Sequence, residues 1–312
     1  MQYRRLGGTD LEVSVVCLGP MRAAAKEPGN DEKSRAGERA LRRALDLGVN
    51  LLHSSYEYGT RWMMGRVLQE HPKRADLHHV IKVPVPDFTD GDRFDVAKFR
   101  LCIEEALREL HAERIAVLQW MWRSDPNNDA RRLPLLARIL DDVVAAFEKL
   151  RDEGKAGYLF TFPYTVACAQ AAVETGRFAG LLAYYNLAEL EMLDLFGGLE
   201  RRQMGFIAIR PLYEGILTDE RAVPRAGDRF ADPQYAPALT TRRKIAEAFR
   251  SEIGESMTAF ALRVVLAEPV VASLVVGLNR PEQVDGIVEA LDGPPLSREV
   301  VRRARELWGV GR

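Results

Sequence analysis

The chain has 312 residues, 47% of them hydrophobic and 29% charged, and is long enough to bury a large core without disulfide bonds or metal ions. Its 44 basic and 45 acidic residues give a formal net charge of -1, which offers no electrostatic basis for binding nucleic acid or an anionic membrane. The three cysteines, Cys17, Cys102 and Cys168, are scattered without metal-ligand spacing. We therefore expect a soluble cytoplasmic protein with no metal, since the first residues also lack the apolar run of a signal peptide.

Short apolar segments alternate with longer amphipathic segments along the whole chain. In chain order, the predicted elements are a strand at 15–19, a helix at 34–48, a strand at 49–55, a helix at 61–70, a strand at 78–85, a helix at 96–111, a strand at 114–122, a helix at 135–154 ended by Gly154, a strand at 156–162, a helix at 165–176, and strands at 179–188, 204–212 and 271–279.

About eight strand–helix pairs predict an α/β fold with a parallel sheet, and the strands are apolar on both faces, as strands covered by helices must be. A closed (β/α)8 barrel is favoured over an open sheet because about 250 residues are typical of such a barrel. No GxGxxG motif follows an early strand. Gly7 and Gly8 predict a short β-hairpin before the barrel. The polar segment 123–132 and the Pro-rich segment 219–239 are expected at the C-terminal face, where the ligand loops of barrels lie.

A series of segments, in order, resembles the motifs of the aldo-keto reductase family. They are YRRLGGTDLEVSVVCLG, GVNLLHSSYEYG, IKVPV, ALRELHAERIAVLQWMW, EKLRDEGKAGYLF, YYNL, RPLYEGILT and VVGLNRPEQV. The resemblance implies that residues 1–312 form one (β/α)8 TIM barrel domain with an N-terminal β-hairpin. It also implies an oxidoreductase that transfers hydride between NADP(H) and a carbonyl or an alcohol.

In this family a tyrosine is the general acid, a lysine lowers its pKa, an aspartate holds the lysine, and a histidine orients the carbonyl. Tyr58 and Lys82 match the first two, whereas His53 stands at the aspartate position and Met121 at the histidine position. The catalytic tetrad is therefore degenerate. A phenol has an ordinary pKa of about 10, which a nearby ammonium lowers. We thus expect Tyr58 to be the acid/base and Lys82 its pKa partner.

His53 has no negative charge with which to hold Lys82. Two hypotheses remain for it: a role in proton relay or substrate binding, or a histidine bonded to Ser54 or Ser55 without a catalytic role. A thioether cannot polarise a carbonyl, so Met121 cannot replace the histidine. The aromatic residues near these positions, Trp62, Trp120 and Trp122, are predicted to wall an apolar substrate pocket, with core packing as the alternative.

The resemblance also implies a site for the phosphates of the cofactor. The residues implied are Arg210, Pro211, Leu212, Gly215, Leu217, Gly277, Asn279, Arg280 and Gln283. NADP is expected because Asn279 and Arg280 are available to a 2′-phosphate. Phe162, Pro163 and Ala183 stand where the family holds the nicotinamide amide, and none of their side chains can hydrogen-bond to it.

We expect a divergent reductase that acts on a small-molecule substrate, whose identity the sequence does not indicate. The alternatives are a non-redox barrel enzyme (a lyase, isomerase or hydrolase) that uses His53, Tyr58 and Lys82, or a catalytically silent binding barrel.

Overall fold

A computed structural model of the chain describes residues 1–221, 227–254, 256–293 and 296–307. A two-stranded hairpin is followed by eight parallel strands that close into a barrel, with helices outside it. The strands are β1 (Tyr3–Arg5), β2 (Glu12–Ser14), β3 (Val16–Leu18), β4 (Leu51–Ser55), β5 (His78–Pro84), β6 (Ile115–Met121), β7 (Ala156–Thr161), β8 (Gly180–Tyr184), β9 (Gly205–Ile209) and β10 (Val271–Val276). The helices are α1 (Glu32–Asp46), α2 (Arg61–Glu70), α3 (Val96–Leu110), α4 (Asp129–Asp152), α5 (Val166–Thr175), α6 (Leu193–Arg201), α7 (Ala236–Ala248), α8 (Arg250–Ile253), α9 (Met257–Leu266), α10 (Pro281–Leu291) and α11 (Arg298–Leu307).

The barrel strands pair in the order β10-β3-β4-β5-β6-β7-β8-β9, and β10 pairs with β3 to close the sheet. The predicted (β/α)8 barrel and the hairpin before it are both confirmed. Because side chains alternate between the two faces of a strand, every second residue points into the barrel and the others pack against the helices.

The hairpin closes the N-terminal end of the barrel. Leu6, Leu11 and Val13 belong to the same apolar cluster as Leu51 and other residues inside the barrel. The hairpin also approaches β9 closely, since a Cβ atom added at Gly205 would lie 2.8 Å from Cδ1 of Leu6. With one end plugged, the C-terminal end is the face that remains for a ligand, as is usual for this architecture.

Several elements differ from their predicted bounds for identifiable reasons. Helix α4 begins at Asp129 rather than at 135, because Asn128 caps it by accepting a hydrogen bond from the amide of Arg131 at 3.1 Å. The loop composition of 123–132 concealed this start. Strand β9 ends at Ile209 rather than at 212, since Arg210 adopts a positive φ of 60° that a strand cannot accommodate. Gly154 follows α4 with a φ of 75°, as its sequence position predicted.

Part of the Pro-rich segment 219–239 lies outside the described residues, and the remainder forms short helical turns that lead into α7. The three cysteines are all buried and unpaired. Among the described residues no helix combines the length and apolarity needed to cross a bilayer.

Candidate active site

The loop after β4 forms one helical turn, Tyr56–Tyr58, at the C-terminal end of the barrel. Ser55 begins the turn by accepting a hydrogen bond from the amide of Glu57 at 3.3 Å, and Gly59 ends it with a φ of 64°. The turn fixes Glu57 and Tyr58 side by side at the mouth of the barrel. Tyr58 is half-buried, and the side chain of Glu57 is 27% exposed.

Lys82 lies beside this turn, because β5 pairs with β4 in a register that sets Lys82 opposite Ser55. Its Nζ is 2.5 Å from Oε2 of Glu57. The other carboxylate oxygen of Glu57, Oε1, accepts a hydrogen bond of 2.6 Å from Nη1 of Arg123, two residues beyond β6. One carboxylate is therefore shared by two cations.

The sequence analysis missed the roles of Glu57 and Arg123. The available signal was position: each residue lies two positions beyond the C-terminal end of a barrel strand, where charged side chains meet. Glu57 thus supplies Lys82 with the negative charge that His53 lacks. In the part of the chain that the structure describes, no three His, Cys, Asp or Glu side chains are grouped to hold a metal ion.

Burial and these ion pairs set the protonation of the cluster. Burial opposes ionisation of Glu57, but hydrogen bonds from Arg123 and Lys82 outweigh it and lower the pKa of the carboxyl. Burial lowers the pKa of the Lys82 ammonium, although Glu57 opposes that change. Burial also opposes the charge of Arg123, yet its bonds to Glu57 and Tyr164 raise the guanidinium pKa. The ion pairs therefore favour the charged form of each of the three groups.

The structure corrects the expectation that Lys82 lowers the pKa of Tyr58. The Tyr58 pKa is raised, first by burial and then by the negative charge of Glu57. Lys82 lies over the face of the ring, with Nζ 5.5 Å from the ring centroid, and its charge is compensated by Glu57. Tyr58 is therefore a protonated phenol. Its hydroxyl has no hydrogen-bond partner among the described residues and is not sealed from solvent.

His53 is 4% exposed inside the barrel, and its partner is Gln119 of β6 rather than Ser54 or Ser55. The His53 Nε2 atom lies 2.6 Å from Oε1 of Gln119. Because this oxygen only accepts, Nε2 carries the proton and Nδ1 is an acceptor. Burial lowers the pKa of His53 to about 4, with the Gln119 bond opposing and Lys82 reinforcing the shift. The ring is neutral, and its centroid is 6.1 Å from that of Tyr58.

At the end of β6, the side chains of Trp120 and Trp122 point away from the barrel mouth. Met121 packs inside the barrel, whereas Trp120 and Trp122 belong to the core between barrel and helices. Both indoles are fully buried, stack with centroids 5.0 Å apart, and donate to backbone carbonyls. The prediction that Trp120 and Trp122 wall a substrate pocket is therefore wrong, because strand alternation points them outward. Trp62 of α2 is half-buried and bound through Nε1 to the carbonyl of Ala25 at 3.0 Å.

Tyr164, which follows β7, braces Arg123. The Nε atom of Arg123 donates a hydrogen bond of 2.8 Å to the hydroxyl of Tyr164. Beneath the tyrosine ring lies Arg132 of α4, fully buried with its guanidinium carbon 4.6 Å from the ring centroid. Arg132 also donates to the carbonyl of Pro163 at 2.7 Å. The early start of α4 thus fixes one wall of the mouth.

The opposite wall is formed by Tyr184 and Arg210. The guanidinium of Arg210 lies 4.3 Å from the ring centroid of Tyr184 and pairs with Glu189 at 3.6 Å and Glu214 at 3.3 Å. Asn186 is fully buried and has no free amide donor, because its nitrogen already binds Glu189 and the carbonyl of Arg210. The strand ends β7 and β8 therefore offer no uncommitted side-chain amide to a nicotinamide within the described residues.

The residues implied for the phosphates of a dinucleotide fit that group. Gly215, with a φ of 97°, has no atom within 4 Å of an added Cβ, so a ligand can approach its backbone. Arg280 precedes α10, which lacks a side-chain cap, and its nearest carboxylate, on the exposed Glu220, is 3.8 Å away. The turn before α10 is held by Gln283, whose Oε1 accepts from the amide of Asn279 at 3.0 Å.

One member of the implied phosphate set does not reach a ligand. Leu217 is fully buried in the apolar cluster of α7 and α9, so it anchors the loop after β9 from below. The loop after β9 contains Pro211 and Leu212, and the loop after β10 contains Gly277, as the resemblance implied.

A sequence model of the aldo/keto reductase family matches residues 15–309. The uncharacterized oxidoreductase YrpG of Bacillus subtilis is 28% identical, over 99% of this chain and 96% of its own. L-galactose dehydrogenase of Arabidopsis thaliana is 26% identical, over 93% of this chain and 88% of its own. The holo form of aldo-keto reductase AKR11C1 from Bacillus halodurans superposes with a TM-score of 0.75, at 19% identity and with 98% of this chain and 96% of that chain covered.

Proposed function

Because this chain belongs to the aldo/keto reductase family, we propose that it reduces a carbonyl group with NADPH and that Tyr58 supplies the proton. Family membership supports an oxidoreductase over a non-redox barrel enzyme and over a catalytically silent barrel. The name of the Arabidopsis relative describes the oxidation of a sugar. Reduction of a carbonyl needs a protonated Tyr58, and the raised pKa keeps the phenol in that form.

The observation that carries the proposal is the contact between Lys82 and Glu57. The lysine has a carboxylate partner at 2.5 Å even though His53 occupies the position where the family carries one. The ion pair keeps the ammonium in place over the ring of Tyr58. The grouping of tyrosine, lysine and carboxylate is thus retained, but the carboxylate comes from Glu57. It forms although two positions of the tetrad are occupied by His53 and Met121.

The family generally uses NAD(P)H, and the phosphate-binding loops of this chain fit it. When bound, the nicotinamide would supply hydride to the carbonyl carbon. Tyr58 donates its hydroxyl proton to the carbonyl oxygen as negative charge develops there. Lys82 and Arg123 stabilise that charge electrostatically, in a site where burial makes each interaction stronger than in water. His53 offers Nδ1 as an acceptor to a hydroxyl of the substrate.

The preference for NADPH over NADH rests on Arg280, whose exposed guanidinium can turn from Glu220 to a 2′-phosphate. Arg210 could replace the side chains with which the family binds the nicotinamide carboxamide and which this chain lacks. Its guanidinium is preorganised on Tyr184 and can donate to a carboxamide oxygen.

The test is NADPH oxidation, followed by absorbance at 340 nm, with a panel of small aldehydes and ketones. Tyr58→Phe removes only the hydroxyl, and we expect kcat to fall by about 100-fold or more while NADPH still quenches protein fluorescence with the same Kd. Tyr56→Phe, in the same turn but exposed, is the matched control and should retain the rate. A wild-type protein that binds no NADPH at millimolar concentration, or a Tyr58→Phe variant as fast as wild type, would refute the proposal.

A further inference from the structure

One wall of the barrel mouth has more hydrogen-bond donors than the protein itself uses. A guanidinium has five N–H donors. Those of Arg123 make three contacts, one with Tyr164 and two with Glu57, which leaves two without a partner among the described residues. The ammonium of Lys82 has three donors and directs one of them to Glu57, leaving two.

Two phenols add to this excess. The hydroxyl of Tyr164 accepts from Arg123, and its own hydrogen has no acceptor within the described part of the chain. The hydroxyl hydrogen of Tyr58 likewise has no acceptor among the described residues. Few acceptors are close to these unused donors. Both carboxylate oxygens of Glu57 already bind cations, and Nδ1 of His53 keeps one free lone pair.

The charge on this wall is also unbalanced. Glu57 is the carboxylate for two cations, so the group carries a net positive charge. The side chains are largely withdrawn from water, with relative exposures of 15% for Lys82 and 10% for Arg123. Solvent therefore screens the excess charge weakly, and an anion that enters the mouth interacts with it strongly.

On the opposite wall the charges balance. Arg210 is flanked by two carboxylates, Glu189 and Glu214, within 3.6 Å, and Glu214 also pairs with Arg229 at 3.6 Å. The mouth is thus cationic on the side of β5, β6 and β7 and close to neutral on the side of β8 and β9. This asymmetry directs an anionic group to Arg123 and away from Arg210.

We propose that Arg123, Lys82 and Tyr164 form a subsite for an anionic group of the substrate, a carboxylate or a phosphate. The preferred substrates are small aldehydes or ketones that carry such a group, which extends the proposed function and rests on it. Because Nζ of Lys82 is 5.5 Å from the ring of Tyr58, the anionic group and the carbonyl are only a few bonds apart. A guanidinium already fixed by Glu57 and Tyr164 loses little side-chain freedom on binding, which favours recognition.

The experiment compares substrates in matched pairs: succinic semialdehyde against butyraldehyde, and glyceraldehyde 3-phosphate against glyceraldehyde. We expect kcat/KM to be at least about 10-fold higher for the charged member of one pair, mainly through KM. In Arg123→Gln this ratio should fall by about 10- to 100-fold, whereas any effect transmitted through Glu57 lowers both members equally. Arg123→Lys keeps the charge without the fork and should retain part of the ratio. Arg131→Gln, in the first turn of α4 and exposed, is the control.

Direct binding separates this inference from the proposed reaction. Calorimetric titration of the protein without cofactor uses oxalate and, separately, inorganic phosphate. Binding that Arg123→Gln abolishes and Arg131→Gln preserves supports the subsite even if no carbonyl is reduced, and the anion that binds identifies the group. Equal kcat/KM within both pairs, together with no binding of either anion, would overturn the inference.

Discussion

The neutral histidine inside the barrel predicts a specific loss of stability in acid. The pKa of His53 is about 4 in the folded protein, whereas a histidine in an unfolded chain has a pKa of about 6.5. Above pH 6.5 the ring is neutral in both states. As the pH falls from 6.5 towards 4, the unfolded chain binds a proton that the folded protein cannot, so stability decreases across that interval.

The magnitude follows from the distance between the two pKa values. At about 1.4 kcal/mol for each pH unit between them, the complete loss is about 3 kcal/mol, of which about 2 kcal/mol is reached between pH 7 and pH 5. His53→Gln removes the titrating group and retains a donor that can bind Oε1 of Gln119. The variant should therefore lose about 2 kcal/mol less than wild type between pH 7 and pH 5.

Urea denaturation at the two pH values, followed by circular dichroism, measures this difference. Surface carboxylates titrate equally in wild type and variant, so they cancel. His79→Gln is a second case, since burial lowers the pKa of His79 to about 4 as well. NMR of the His53 ring gives an independent reading of the folded pKa. If wild type and His53→Gln lose the same stability on acidification, or if the ring titrates near 6.5, the reasoning fails.

Glu57→Gln should lower the free energy of unfolding by about 2 kcal/mol at pH 7, because two largely buried cations, Lys82 and Arg123, lose their shared carboxylate. Since the Glu57 pKa is lowered in the folded protein, the difference should shrink as the pH falls below about 4.5; a difference independent of pH would contradict it. Gly180→Ala should destabilise the barrel by about 1–3 kcal/mol in the same assay, because its Cβ would lie 2.3 Å from the carbonyl oxygen of Gly205. Gly198→Ala, in α6 with open space around it, should instead stabilise by about 0.5–1 kcal/mol, and equal effects at the two glycines would refute the steric argument.

The barrel could be predicted from sequence because its signals are periodic and repeated. Strand–helix alternation, Gly154 after α4 and the hairpin around Gly7 each follow from local residue choice. The same local rule placed Met121 inside the barrel and required both flanking tryptophans to point out, which the pocket prediction did not follow.

The ion-pair partner of Lys82 could not be predicted in this way. A carboxylate on a strand has a direction fixed by alternation, but Glu57 lies in a turn, where the side-chain direction depends on the local φ and ψ angles. Its second partner, Arg123, comes from a strand end more than sixty residues away along the chain. The pairing of His53 with Gln119 is likewise a consequence of the barrel register, because their strands β4 and β6 are not neighbours but both pair with β5.

The one-turn helix after β4 carries both the proposed proton donor, Tyr58, and the counter-ion of the lysine, Glu57. If the carboxylate were on strand β4, the lysine and its partner would both be held by the barrel, and the tyrosine in the turn would move independently of them. Here Glu57 and Tyr58 are consecutive, so a displacement of the turn moves both at once relative to Lys82, which is anchored on β5. The proposed proton donor and the counter-ion of Lys82 therefore move together, and a ligand that shifts the turn changes the positions of both in a single motion.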